Sequence, residues 1–164
     1  IIKMNQKEIK NHMNATNIEE LCNEDLIFVN IFGKSKKVKV LLTGDNCYDE
    51  SGNYKYDKFK LNKKEIDVLK WLLKNVDIDN YKKQILDYCN NEYSDKKINL
   101  EDITNEVNIN TIVINVTKKW KAKDGTIYPE IAFLGDCKCD EEHGICIGFR
   151  DEKYIGIKSQ DWIL

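Results

Sequence analysis

The sequence predicts an α+β domain in which antiparallel β-sheet, as one sheet or two, packs one face against an antiparallel pair of helices. Three observations carry this expectation. Apolar residues alternate with period two over 26–42 and through the last third of the chain, the spacing of strands with one buried face. Between Asn62 and Tyr93 they recur instead at steps of three and four, as on the buried stripe of a helix. The link from Asn75 to Ile78 between the two helical stretches is short enough to lay the helices side by side. With 164 residues, 41% of them apolar, the chain has the size and apolar content of a single domain spanning 1–164.

The elements follow in order. Residues 1–25 are polar with sparse apolar positions (Ile9, Met13, Ile18, Leu21, Cys22), the pattern of a peripheral N-terminal helix. Leu26 to Phe32 and Lys36 to Leu42 flank Gly33, Lys34 and Ser35 as a hairpin, with Val38, Val40 and Leu42 on one face. A Gly- and Asp-rich loop over 44–53 leads to Tyr54, Tyr56 and Lys58, a candidate third strand. Asn62 and Glu65 have capping-box spacing ahead of Ile66, Leu69, Leu72, Leu73 and Val76, which predicts a helix over 62–75. A second helix, Asp79 to Tyr93, places Ile85, Tyr88 and Cys89 on a core stripe, and Leu100 to Val107 reads as a short helical turn.

Thr111 to Thr117 alternates as a strand, and Asp124-Gly125 turns the chain back through Ile127 to Leu134, with Pro129 at a strand start or edge. Gly144 to Arg150 and Lys153 to Lys158 form a further hairpin around Asp151 and Glu152. The expected core includes Ile66, Leu69, Leu72, Ile85, Ile112, Ile114, Ile131, Phe133, Ile147 and Phe149.

Lys and Arg number 26 against 28 Asp and Glu, so no global field recruits nucleic acid or an anionic membrane surface. No apolar run approaches the roughly 20 residues needed to span a bilayer, and no signal-peptide pattern is visible. A cytoplasmic protein is expected, with Cys22, Cys47, Cys89, Cys137, Cys139 and Cys146 as free thiols.

Three residue sets suggest chemistry. Cys137, Cys139, His143 and Cys146 are of zinc-ligand type, but no second Cys-x-x-Cys knuckle completes a tetrahedron, and Cys146 sits between Ile145 and Ile147 in a separate strand. Cys139 or Cys146 with His143 as base is a nucleophile arrangement, without a Gly-rich oxyanion turn beside it. Asp136, Asp140, Glu141 and Glu142 lack the alternation of a calcium loop and read as a solvated turn. Phosphate-binding, Gly-x-Ser-x-Gly and His-Glu-x-x-His motifs are absent from the sequence. The expectation is a binding protein with no cofactor, no metal and no catalytic set.

The segment Ile131 to Leu164, IAFLGDCKCDEEHGICIGFRDEKYIGIKSQDWIL, resembles the C-terminal signature of a bacterial family of small domains of unknown function. Asp140, Glu142, His143 and Gly144 match its Asp-x-Glu-His-Gly element, Ile145, Ile147, Gly148 and Gly156 fit the strands that follow, and Asp161 fits the closing element. Where that family often carries an aromatic residue before its first Asp, this sequence has Cys139. Similar proteins are often found beside polymorphic toxins as candidate immunity proteins. The resemblance therefore implies inhibitory binding to a cognate toxin, with Asp136, Asp140, Glu141, Glu142, His143, Gly144 and Asp161 as the motif or partner-binding set. The alternatives are a small metal-dependent or His-assisted enzyme centred on Asp140, Glu142 and His143, a housekeeping binding domain, or a purely structural turn in which Gly144 takes a positive φ. Tyr48, Tyr54, Trp120 and Trp162 are candidate aromatic anchors for a partner, set against the commoner role of an aromatic partly buried in its own domain.

Overall fold

The computed structural model describes residues 26–44, 50–53, 61–115 and 122–164. The expected N-terminal helix and the candidate strand at 54–58 lie outside these residues, as do Tyr48, Tyr54 and Trp120. The strands are β1 (Leu26–Ile31), β2 (Lys34–Thr43), β3 (Val107–Asn115), β4 (Ile131–Cys137), β5 (Ile145–Arg150) and β6 (Lys153–Lys158). Between β2 and β3 run helices α1 (Lys63–Asn75), α2 (Lys82–Glu92) and the short α3 (Ile103–Glu106), with single 3-10 turns at Ile78–Tyr81 and Leu100–Asp102. Another 3-10 turn, Gln160–Trp162, follows β6.

The strands form one six-stranded sheet in chain order, β1 to β6. Every neighbouring pair is antiparallel except β2 and β3, which run parallel with Val40 beside Ile112 and Leu42 beside Ile114. The antiparallel sheet expected from the sequence is corrected here to a mixed one. Strands next to each other in the sheet but separated by a long crossover can enter in the same direction, and the helices supply that crossover.

Local chemistry sets the element ends. The Asn62 side chain accepts a 2.9 Å hydrogen bond from the Glu65 backbone N–H, and Glu65 Oε1 accepts one of 2.9 Å from the Asn62 backbone N–H, so both halves of the capping box form. The β1–β2 hairpin turns on Phe32 and Gly33, one residue earlier than its composition suggests, because Ile31 pairs with Lys34. Both turn residues have positive φ, as in the tight turn that matches strand twist. Asp151 and Glu152 do the same between β5 and β6.

Alternation along the strands divides the core. Val38, Val40, Ile112, Ile114, Ile131, Phe133, Ile147 and Phe149 share one cluster with Leu69 and Leu72 of α1, Ile85 and Cys89 of α2, and Ile103 of α3. Every expected core residue is buried except Ile66, which packs half-buried against this cluster. α1 meets β4, and α2 meets β6. The intervening residues Val113, Ala132, Leu134 and Cys146 form a second cluster with Trp162 and Ile163 from the C-terminal turn. Trp162 is therefore no exposed anchor: its ring is buried over Gly148, and its indole N–H donates a 2.9 Å hydrogen bond to the Ile127 carbonyl. Strands β3 and β4 are buried on both faces, and that is why their apolar runs are nearly continuous.

Candidate functional site

The connection between β4 and β5 carries most of the residues that the sequence singles out. Beyond Cys137 the chain turns as the Asp140 N–H donates to the Cys137 carbonyl at 3.1 Å, and the Gly144 N–H donates to the Asp140 carbonyl at 2.8 Å. The Asp140 carboxylate accepts from the His143 backbone N–H at 3.1 Å and lies 3.1 Å from His143 Nδ1. This neighbour raises the His143 pKa above its ordinary value, through the hydrogen bond first and the charge second.

Two other parts of the fold hold the turn. From α2 the Tyr88 hydroxyl donates a 3.0 Å hydrogen bond to the Gly144 carbonyl. From the C-terminal turn the Gln160 backbone N–H donates to the His143 carbonyl at 2.9 Å, while Gln160 Nε2 donates to the Gly135 carbonyl of β4 at 2.8 Å. Gly144 has a φ of 60°, and an added Cβ would come within 2.5 Å of both the Gly135 carbonyl oxygen and Gln160 Nε2. The motif glycine thus answers two demands at once, a left-handed backbone and a close approach.

Of the expected site residues, the structure brings Asp140, His143 and Gly144 into one network and leaves Glu141, Glu142 and His143 exposed at its tip. Asp161 is exposed on the adjacent C-terminal turn, near enough to act on His143 electrostatically. Asp136 belongs elsewhere: it accepts a 3.1 Å hydrogen bond from Asn110 Nδ2 and faces Lys36 across β3. Burial lowers the Lys36 pKa, and the charge of Asp136 opposes that shift.

The cysteines correct one expectation, that of free thiols at Cys137 and Cys139. Cys146 is buried in the cluster on the second face, where desolvation drives its pKa well above the ordinary thiol range, so neither the zinc set nor the Cys146–His143 pair assembles. Cys137 and Cys139 are joined in a disulfide, not free, their Cα atoms 5.4 Å apart and so within bridging range. The partner that sequence reasoning missed is Cys89. Its Sγ lies 3.6 Å from that of Cys137, brought there by the seat of α2 against the sheet. Cys89 itself is buried, and desolvation together with Glu106 pushes its pKa up to about 12. Its place on the helical stripe was the only sequence signal, and that signal reads equally as core.

A mixed sheet backed by helices, with an acidic turn fixed by hydrogen bonds at one end, places the chain among small α+β domains. The sequence model of the family described as Domain of unknown function (DUF6985) matches residues 6–164, and the chain belongs to that family. Neither the curated proteins nor the solved structures contain a match to the chain. Among the described residues, no helix is long and apolar enough to cross a membrane.

Proposed function

We propose that the chain is a non-enzymatic binding protein of the bacterial cytoplasm that inhibits a cognate toxin through the turn 140–144. One observation carries the reading: the carboxylates of Glu141 and Glu142 stand exposed on a backbone that Tyr88 and Gln160 hold in place. A segment already ordered before association loses little entropy on binding, and clustered acidic groups speed encounter with a basic partner surface. In this reading α1 and α2 form the antiparallel pair that backs the sheet behind the tip. The resemblance of the Asp140–Gly144 element to a family found beside toxins points to the partner class.

The test is capture of the product of the adjacent gene by the full chain, followed by calorimetry at two salt concentrations. A one-to-one complex that weakens with salt, and more so after Glu141→Lys and Glu142→Lys, supports the reading. A complex indifferent to both changes, or no complex at all, overturns it.

The Asp140–His143 contact favours one second reading, a His-assisted enzyme in which Asp140 orients the imidazole as a base. An activity lost in His143→Ala, with the fold retained, would select it over the binding role.

A further inference from the structure

We infer that Cys89, Cys137 and Cys139 form a binding site for a thiophilic d10 cation such as zinc, closed while Cys137 and Cys139 share a disulfide and opened by its reduction. This goes beyond the binding role proposed for the 140–144 turn and does not depend on it. Three separate elements supply the sulfurs: α2 gives Cys89, the last residue of β4 gives Cys137, and the following turn gives Cys139. All three Sγ atoms lie within 4.8 Å of one another. Thiolates bound tetrahedrally to one ion at about 2.3 Å stand roughly 3.8 Å apart. The Cys89–Cys137 separation of 3.6 Å already has that spacing.

The surroundings suit a cation. Glu106 is buried at 6% exposure, takes a hydrogen bond from the Tyr93 hydroxyl, and adds negative potential at Cys89. A bound ion reverses the penalty that this potential and burial place on a thiolate. Cys89 and Cys137 are buried, whereas Cys139 is half-buried and offers the entry side. Among the described residues no fourth Cys, His, Asp or Glu joins the group, so the ion keeps one position for water or an external ligand.

The reduction step balances with a dithiol as co-reactant. Two electrons and two protons pass to the Cys137–Cys139 bond, which breaks to two thiols, and the dithiol becomes a disulfide. Metal binding then releases the thiol protons to water. Three cysteines packed merely as small apolar residues would take up no ion.

The experiment uses the full chain with Cys22→Ser and Cys47→Ser, reduced with a dithiol, desalted without oxygen, and titrated with Co2+ as a spectroscopic probe and with Zn2+ against a chromophoric chelator. The expected result is one ion per chain and a thiolate-to-cobalt charge-transfer band. Both should vanish in the oxidised chain and persist in Cys146→Ser, whose thiol lies in the second cluster. Cys89→Ser should weaken binding by more than the roughly 10- to 100-fold that loss of an outer-shell partner costs. Because Cys89 is buried, Cys139→Ser at the half-buried position serves as a second variant with the same expected loss. Absence of the band in the reduced chain, unweakened binding in Cys89→Ser or Cys139→Ser, or equal binding by the oxidised chain overturns the inference.

Discussion

The Tyr88 hydroxyl donates to the Gly144 carbonyl at 3.0 Å, tying the middle of the helical crossover to the turn that carries the acidic tip. Burial, with Glu92 and Asp140 close by, raises the phenol pKa, so the donor proton stays in place through the physiological range. Tyr88→Phe keeps the ring and removes only the donor. We expect a loss of about 0.5–1.5 kcal/mol in denaturant unfolding, the usual net worth of such a hydrogen bond. Faster amide exchange confined to 141–144 would show that the bond orders the turn, and unchanged exchange there would show that it does not.

Gly144→Ala tests the fit of the turn itself. An added methyl would meet a backbone oxygen and the Gln160 amide at 2.5 Å, on a backbone with a φ of 60°. Gly125 also has positive φ, yet nothing lies within 4 Å of where its Cβ would be. Gly125→Ala should therefore cost about 1 kcal/mol of backbone strain, and Gly144→Ala distinctly more, about 2–4 kcal/mol once overpacking is added. Equal losses in thermal unfolding of the two variants would mean that the turn yields to the methyl.

The contrast between these two glycines also marks what the sequence could tell. Interactions that close within three or four residues were legible: the Asn62–Glu65 capping box and the turn at Asp124-Gly125 both form where the spacing places them. The parallel pairing of β2 with β3 was not, because it depends on where a 63-to-106 crossover returns the chain and not on either strand's own pattern. Cys89 lies in the core, as its helical spacing predicts, but its meeting with Cys137 is a tertiary fact with no local trace. The buried seat of Trp162 does leave a local trace, because Gly148 and Gly156, glycines inside strands, make room for a large group lying close against the sheet.

The Asp140–His143 pair should leave a pH signature. Asp140 raises the folded-state pKa of His143 above 6.5, its ordinary value. The pair's contribution to stability is then fully present below that ordinary value, where the imidazole is protonated in both states, and is lost as pH rises through the folded pKa. Titration of the His143 ring by NMR should give a midpoint above 6.5 in the parent chain. Asp140→Asn should lower it toward that value, and a midpoint unmoved by the substitution would remove Asp140 as the cause.

The contact between Gly148 and Trp162 allows a sharper test of how the second face closes. A Cβ at Gly148 would lie 2.6 Å from Cζ3 and 2.9 Å from Cη2 of Trp162, and 3.0 Å from Cγ of Pro129. Gly148→Ala must push the indole outward, at an expected cost of about 1–3 kcal/mol. Trp162→Phe removes the far ring that makes this contact and also the N–H that Ile127 accepts, for about 1–2 kcal/mol of its own. If the indole is the obstacle, the alanine costs less once the phenylalanine is present, and the double variant is more stable than the sum of the single losses by about 0.5–2 kcal/mol. The saving stays incomplete because Pro129 remains. Additive losses in a double-mutant cycle by denaturant unfolding would place the obstruction at Pro129 and leave Trp162 as a cover the strand glycine does not need.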